Sequence, residues 1–247
     1  MAGHSHWANI KHKKMANDAK KAAVITRMGK LIRGAIQVGG IDPAMNPRLR
    51  MTILKAKANG MVKDAIERIL KKATEGEAVM ESLTYEGYAA GGVAVVVEVM
   101  TDNRNRTPPE IRKLFERGGG AMGAPGCVAW QFKESSVFVI ADATEDRVME
   151  VLLEADCDAR SIQALDDGKV EIIAGPDDYE KIRAACEAAK LAIERSDVTQ
   201  LADNPAEIAD LATAQKVQKL LDSLEEHDDV TAVHSNFAPT PEVAAQL

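Results

Sequence analysis

Ser161-Ile-Gln-Ala-Leu-Asp-Asp-Gly-Lys-Val-Glu-Ile-Ile-Ala174 reads as two strands, near Ala159 to Leu165 and Lys169 to Ala174, joined by Asp166-Asp167-Gly168. Asp and Gly at a two- or three-residue connection tolerate the positive φ that a tight hairpin needs. Working outward, a helix from Glu145 to Ala155 and a strand from Val137 to Ala141 precede the hairpin. A helix from Asp178 to Leu191 and a strand from Ile193 to Leu201 follow it. The order is βαββαβ, the split βαβ or ferredoxin-like plan. Such a unit closes on itself, so whatever lies outside it packs elsewhere.

Upstream, Val93-Ala-Val-Val-Val-Glu-Val99 follows Gly91-Gly92 and is nearly all β-branched, which predicts a strand covered on both faces. Thr107-Pro-Pro-Glu110 has the capping-box pattern, with proline at the first helical position. Ile111, Leu114 and Phe115 supply that helix with an inner face before Gly118-Gly-Gly ends it. Cys127 to Phe132 alternates, with Val128, Trp130 and Phe132 on one side, which predicts a half-covered strand. Downstream, a helix from about Ile208 to Leu224 and a strand from Val230 to Phe237 are left without a home. The expectation is a discontinuous middle domain, residues 81–134 plus 203–247, into which the ferredoxin-like unit, residues 135–202, is inserted.

The first 80 residues differ in kind. Ile25, Met28, Ile32 and Ala35 carry one helical period up to Gly39-Gly40; Asn46-Pro47 opens a second helix with the stripe Leu49, Ile53 and Ala56. Val62, Ile66, Ile69, Leu70 and Ala73 form a third. The fold class expected is therefore α+β, an N-terminal three-helix bundle followed by two α/β domains. Up to Met80 there are sixteen Lys and Arg against six Asp and Glu; from Glu81 onward fifteen cations face thirty-two acids. The net charge of −7 thus conceals a basic head on an acidic body, the arrangement of a chain that brings one part to a polyanion.

Composition excludes other classes. No apolar run, Val93 to Val97 included, approaches the ~20 residues that span a bilayer, so a soluble, cytoplasmic protein without a membrane partner is expected. Cys127, Cys157 and Cys186 are far apart and fit neither a disulfide framework nor a zinc site; they read as small buried hydrophobes. No nucleophile elbow, phosphate loop or EF-hand spacing occurs, and the acids Glu225, Glu226, Asp228 and Asp229 read as a solvated surface. No enzyme activity and no cofactor are expected. Gly118 to Gly126 closes a helix instead of opening one and reads as a mobile loop.

The candidate nucleic-acid contacts follow from charge and aromatic placement. In the arm, Trp7 and His12 are interleaved with Lys11, Lys13 and Lys14, and Lys20 and Lys21 follow at the start of the first helix, with Arg27 two turns beyond Lys20. Cations neutralise phosphates while an indole stacks on a base. In the second helix, Arg48 shares an angular position with Lys55, and Arg50 with Lys57, making two cationic rows. Arg104 and Arg106, in a polar loop between strand and helix, are suited to grip phosphate; pairing with acids of their own domain is the plainer alternative. No helix-turn-helix signature stands out. His4 and His6 offer a weaker reading as copper or nickel ligands behind a free amine.

Several motifs taken together resemble the YebC family of regulatory proteins: Ala2-Gly-His-Ser-His-Trp-Ala-Asn-Ile-Lys-His-Lys-Lys14, Gly39-Gly-Ile-Asp-Pro43, Asn46-Pro-Arg-Leu-Arg50, Lys55-Ala-Lys57, Tyr85-Glu-Gly-Tyr88, Gly91-Gly-Val-Ala-Val95, Thr101-Asp-Asn-Arg-Asn-Arg-Thr107 and Leu224-Glu-Glu-His-Asp-Asp-Val230. The resemblance implies a three-domain α+β protein that acts as a DNA-binding transcriptional regulator. Relatives of that family have also been linked to translation, which implies ribosomal RNA or the ribosome as the alternative partner. This chain has Val62, Ala65 and Ala89-Ala90 where the family usually has proline, asparagine and Gly-Pro.

Overall fold

The structure is a computed structural model and describes residues 19–73, 79–165 and 168–247. Helix α1 (Ala19–Gly39) buries Met28, Ile32 and Ala35 against Leu49 and Ala56 of α2 (Pro47–Ala58) and Ile66 of α3 (Lys63–Ala73). Asn46 organises the first corner. Its side-chain oxygen accepts from Leu49 N at 3.0 Å, capping α2, while its amide nitrogen donates to Ala35 O and Gly40 O, both at 2.8 Å. One buried amide therefore ends one helix and starts the next. A Cβ on Gly39 would lie 2.7 Å from that amide, so only glycine leaves room for it.

Two expected core positions lie elsewhere. Ile25 is 38% exposed, and Val62, 65% exposed, precedes α3, its carbonyl accepting from Ala65 N and Ile66 N. A residue at the cap of a helix points away from the stripe that follows, and buried Met61 fills the space instead.

Beyond the bundle come β1 (Glu81–Tyr88), β2 (Ala94–Thr101), α4 (Thr107–Arg117), β3 (Ala121–Met122), β4 (Phe132–Ala141), α5 (Glu145–Glu154), β5 (Ala159–Leu165), β6 (Lys169–Ala174), α6 (Tyr179–Ala188) and β7 (Ala192–Ala202). The chain continues as β8 (Ala206–Ile208), α7 (Leu211–Glu225), β9 (Val230–Ser235), β10 (Phe237–Pro239) and α8 (Pro241–Ala244). One sheet has the order β3-β1-β2-β9, antiparallel throughout. Its Val95, Val97 and Val99 pack under Ile111, Phe115 and the α7 residues Val217, Leu220 and Leu224, while Ala94 and Val96 meet Val128 and Phe132 on the other face. The second sheet, β5-β6-β4-β7, is antiparallel and has the strand order of the ferredoxin-like plan; Phe138, Ile140, Val170 and Ile172 are buried with Val148 and Leu152 of α5 and Ile182 and Cys186 of α6. Strands β8 and β10 form a small parallel pair.

The stretch expected to be a strand at 127–132 is a turn and a short 3-10 helix, Ala129–Gln131, and β4 begins only at Phe132. The cause is Glu86. Its carboxylate accepts from Gly126 N at 2.6 Å, Val128 N at 2.8 Å and Ala129 N at 2.7 Å, which curls the backbone around a single side chain. Burial alone would raise its pKa, but those three donors hold it below the usual carboxylate range. The glycine loop expected to be mobile is tethered at the same place, through β3 on β1 and Gly123 N on Glu86 O at 2.8 Å.

Candidate nucleic-acid interface

Helix α2 carries the bundle's exposed cations. Proline at its first position and the Asn46 cap set its start, and the buried Leu49 and Ala56 fix its rotation. Arg48, Arg50, Lys55 and Lys57 are all exposed as a result. The rows have different surroundings. Lys55 Nζ is 2.8 Å from Asp197 on β7, and Glu98 on β2 lies close to both Lys55 and Arg48. The Glu98 carboxyl is held below its ordinary range, first by the hydrogen bond with His234 at 3.1 Å and then, against burial, by the charges of His234, Lys55 and Arg48. On the other row, Arg50 Nη1 donates to Pro43 O at 3.1 Å, and Lys57 makes no ion pair with a described residue.

Helix α1 turns Arg27 and Lys30 inward. Arg27 Nε donates to Val230 O at 2.9 Å and its Nη2 to Glu225 O, at the carboxyl end of α7; burial lowers its pKa, and Glu225 opposes that. Lys30 bonds Asp229 directly. Arg27 thus joins the bundle to the sheet instead of facing solvent.

Asp229, read from the sequence as part of a solvated acidic end, is fully buried. Besides Lys30 it receives Arg106 Nη2 at 2.8 Å, Thr107 Oγ1 at 2.7 Å and Thr101 Oγ1 at 3.1 Å. Burial favours the neutral acid, yet the hydrogen bonds from Lys30, Arg106 and Thr107 outweigh it and hold the carboxyl well below the usual range. Thr107 accordingly does not cap its helix, as its sequence pattern implied; its hydroxyl is committed to Asp229. Nearby, His227 Nδ1 accepts from Asp229 N at 3.1 Å, which leaves Nε2 to carry the proton towards Glu110, 3.1 Å away.

The loop arginines take up the plainer alternative: Arg106 engages Asp229, with Asp102 and Glu110 within 3.7 Å, and the more exposed Arg104 sits 3.6 Å from Glu81. Trp7, Lys11, His12, Lys13 and Lys14, like His4 and His6, fall outside the described residues; Lys20 and Lys21 belong to the first turn of α1. Among the described residues no group of three or more His, Cys, Asp or Glu could hold a metal, and no helix is long and apolar enough to cross a membrane. The cysteines are free thiols; burial pushes Cys186 up to about 11, aided by Cys157, and raises Cys157 and Cys127 as well.

Trp130, expected to share one strand side with Val128 and Phe132, is 71% exposed while those two are buried. It stands on the turn that Glu86 holds, with Nε1 donating to Cys127 O at 3.2 Å, and Tyr88 Oη donates to the same oxygen at 3.1 Å.

Two family models match the chain: the TACO1/YebC protein N-terminal domain over residues 5–76, and the TACO1/YebC second and third domain over residues 80–237. Proteins named probable transcriptional regulatory protein are similar over nearly their whole length. That of Halothermothrix orenii is 42% identical, covering 100% of this chain and 99% of the relative, and that of Solidesulfovibrio magneticus is 45% identical, covering 96% of each. The crystal structure of a conserved hypothetical protein from Aquifex aeolicus superposes with a TM-score of 0.81 at 38% identity, covering 95% of this chain and 97% of that one. Identity at this level along the whole length, in the same order of domains, has one reading: the chain belongs to the TACO1/YebC family.

Proposed function

We propose that this protein is a non-enzymatic, cytoplasmic regulator of gene expression that binds nucleic acid through its basic head. The observation that carries the reading is the outward face of α2, where Arg48, Arg50 and Lys57 are exposed and make no ion pair with a described residue, on a head whose sixteen cations outnumber six acids. Long cations kept in water beside a helix surface neutralise phosphates at little cost, whereas cations meant for stability are buried against acids. Lys11, Lys13 and Lys14 extend the same charge into the arm, with Lys20 and Lys21 between arm and bundle, and Trp7 and His12 add a stacking ring and a hydrogen-bonding imidazole. Arg27 and Arg106 are left out of this contact set, since both are held by partners within the protein.

The names of the relatives, probable transcriptional regulatory proteins, favour transcription, hence DNA, as the context. Crosslinking in cells followed by sequencing of both bound DNA and bound RNA tests this. Enrichment of defined promoter regions is expected; recovery of ribosomal RNA without them would replace the reading with a translation factor.

A further inference from the structure

The exposed pair Trp130 and Tyr88 lies on the same face of the first sheet as the cations of α2. Glu86 and Tyr88 are two residues apart on β1 and so share a face, which is the face that the 126–129 turn covers through Glu86. Thr84, further along the same face, is directly opposite Glu98 in the β1–β2 register, and Glu98 is the carboxylate beside Arg48 and Lys55. From Thr84 to Tyr88 is four residues, about 13 Å of strand. Ser82 and Thr84 are exposed between these ends. The surface therefore runs from cations on α2, across an exposed polar strip of β1, to two aromatic rings.

The rings are held for contact. Both donate their polar hydrogen to Cys127 O, which fixes the orientation of each ring at the exposed surface. Their anchor is itself fixed by the three backbone donors on Glu86. The indole of Trp130, 71% exposed on the turn that Glu86 holds, is available to a flat partner. Charge complementarity selects the occupant: a ligand whose phosphates suit Arg48 and whose unstacked bases suit Trp130 is an unpaired nucleic-acid strand, while a duplex keeps its base faces stacked inside.

We infer that Trp130 and Tyr88 form a base-stacking platform that extends the α2 phosphate contact into a site for an unpaired strand. This rests on the nucleic-acid reading above. The test uses the full-length protein in a Trp7→Phe background, so that Trp130 is the only indole. Twelve-residue oligouridine and oligothymidine, and a duplex of the same length, are titrated while Trp130 fluorescence is followed. Both single strands are expected to quench it, and the duplex to leave it unquenched. Quenching by just one of the two identifies the ribose or deoxyribose strand as the source of the bases. Trp130→Ala is expected to weaken single-strand binding roughly ten-fold, the effect of losing one base–aromatic stack, with the salt slope unaltered, and Trp130→Phe to fall between. Strand binding that leaves Trp130 unquenched and is indifferent to Trp130→Ala overturns the platform and leaves the α2 contact standing. Loss of a protein partner in that variant, with strand binding intact, overturns it equally. Failure to bind any strand or duplex overturns both readings.

Discussion

Arg27 and Lys30 of α1 and Arg48, Arg50 and Lys57 of α2 are all long cations, and they are used in opposite ways. On α1, Arg27 and Lys30 reach across to the carbonyls of Glu225 and Val230 and to the buried carboxylate of Asp229. On α2, Arg48, Arg50 and Lys57 remain in solvent, and the ion pair that Lys55 makes with Asp197 is itself exposed. The chemistry of the side chains is the same; the difference is whether a desolvated acceptor waits opposite. Cations with such an acceptor hold domains together, and those without one are available to a polyanion.

This contrast can be broken most severely at Asp229. Asp229→Ala leaves Lys30 and Arg106 without their shared acceptor, and about 3 kcal/mol of stability is expected to disappear in urea unfolding; a loss no larger than that of a surface substitution would mean the network is not structural. The same residue sets an acid dependence. Its folded pKa lies below the unfolded value of about 3.9, so its contribution is complete above that pH and is lost as pH falls through the folded pKa. Glu86 acts with the same sign, and the acid limb of the stability curve should be shallower in Asp229→Asn than in the parent.

Next in size, Arg27→Ala removes charged hydrogen bonds to two carbonyls and should cost about 2 kcal/mol while nucleic-acid affinity stays near that of the parent. A large fall in affinity without loss of stability would return Arg27 to the ligand contacts. Glu86→Gln turns an NH2 towards at least one of the three donors, at about 1 kcal/mol, and should shift the emission of Trp130 as the turn loosens. The smallest effect on stability, within about 0.5 kcal/mol, is expected for Arg48→Ala, Arg50→Ala and Lys57→Ala combined. In that triple variant the log–log dependence of binding on salt should become shallower by roughly 2 to 3, and an unchanged slope would acquit α2.

Much of the local structure is legible in the residues. Asn46-Pro47 announces the start of α2, Gly39-Gly40 the end of α1, and the β-branched run at 93–99 a strand enclosed on both faces, because caps, stops and burial patterns act over a few residues. The βαββαβ order is legible for the same reason. Trp130 was not, since the alternation of Val128, Trp130 and Phe132 is a true pattern overruled by a carboxylate forty-four positions earlier in the chain. Nor was the burial of Asp229: one acid among several at a helix end looks solvated until Thr101, Thr107 and Lys30 are brought around it.

The sequence by itself determined the three helices of the head, the βαββαβ order of the second sheet, the separation of a basic head from an acidic body and the family, but neither β1 nor the turn at 126–131. Periodicity, turn chemistry and net charge are sums over neighbours, which a linear chain already contains. Only the tertiary structure decided which cations are structural and which face outward, for Arg27 and Val230 are 203 positions apart and Lys30 and Asp229 199. Desolvation depends on what closes over a group, and that is a property of the packed chain.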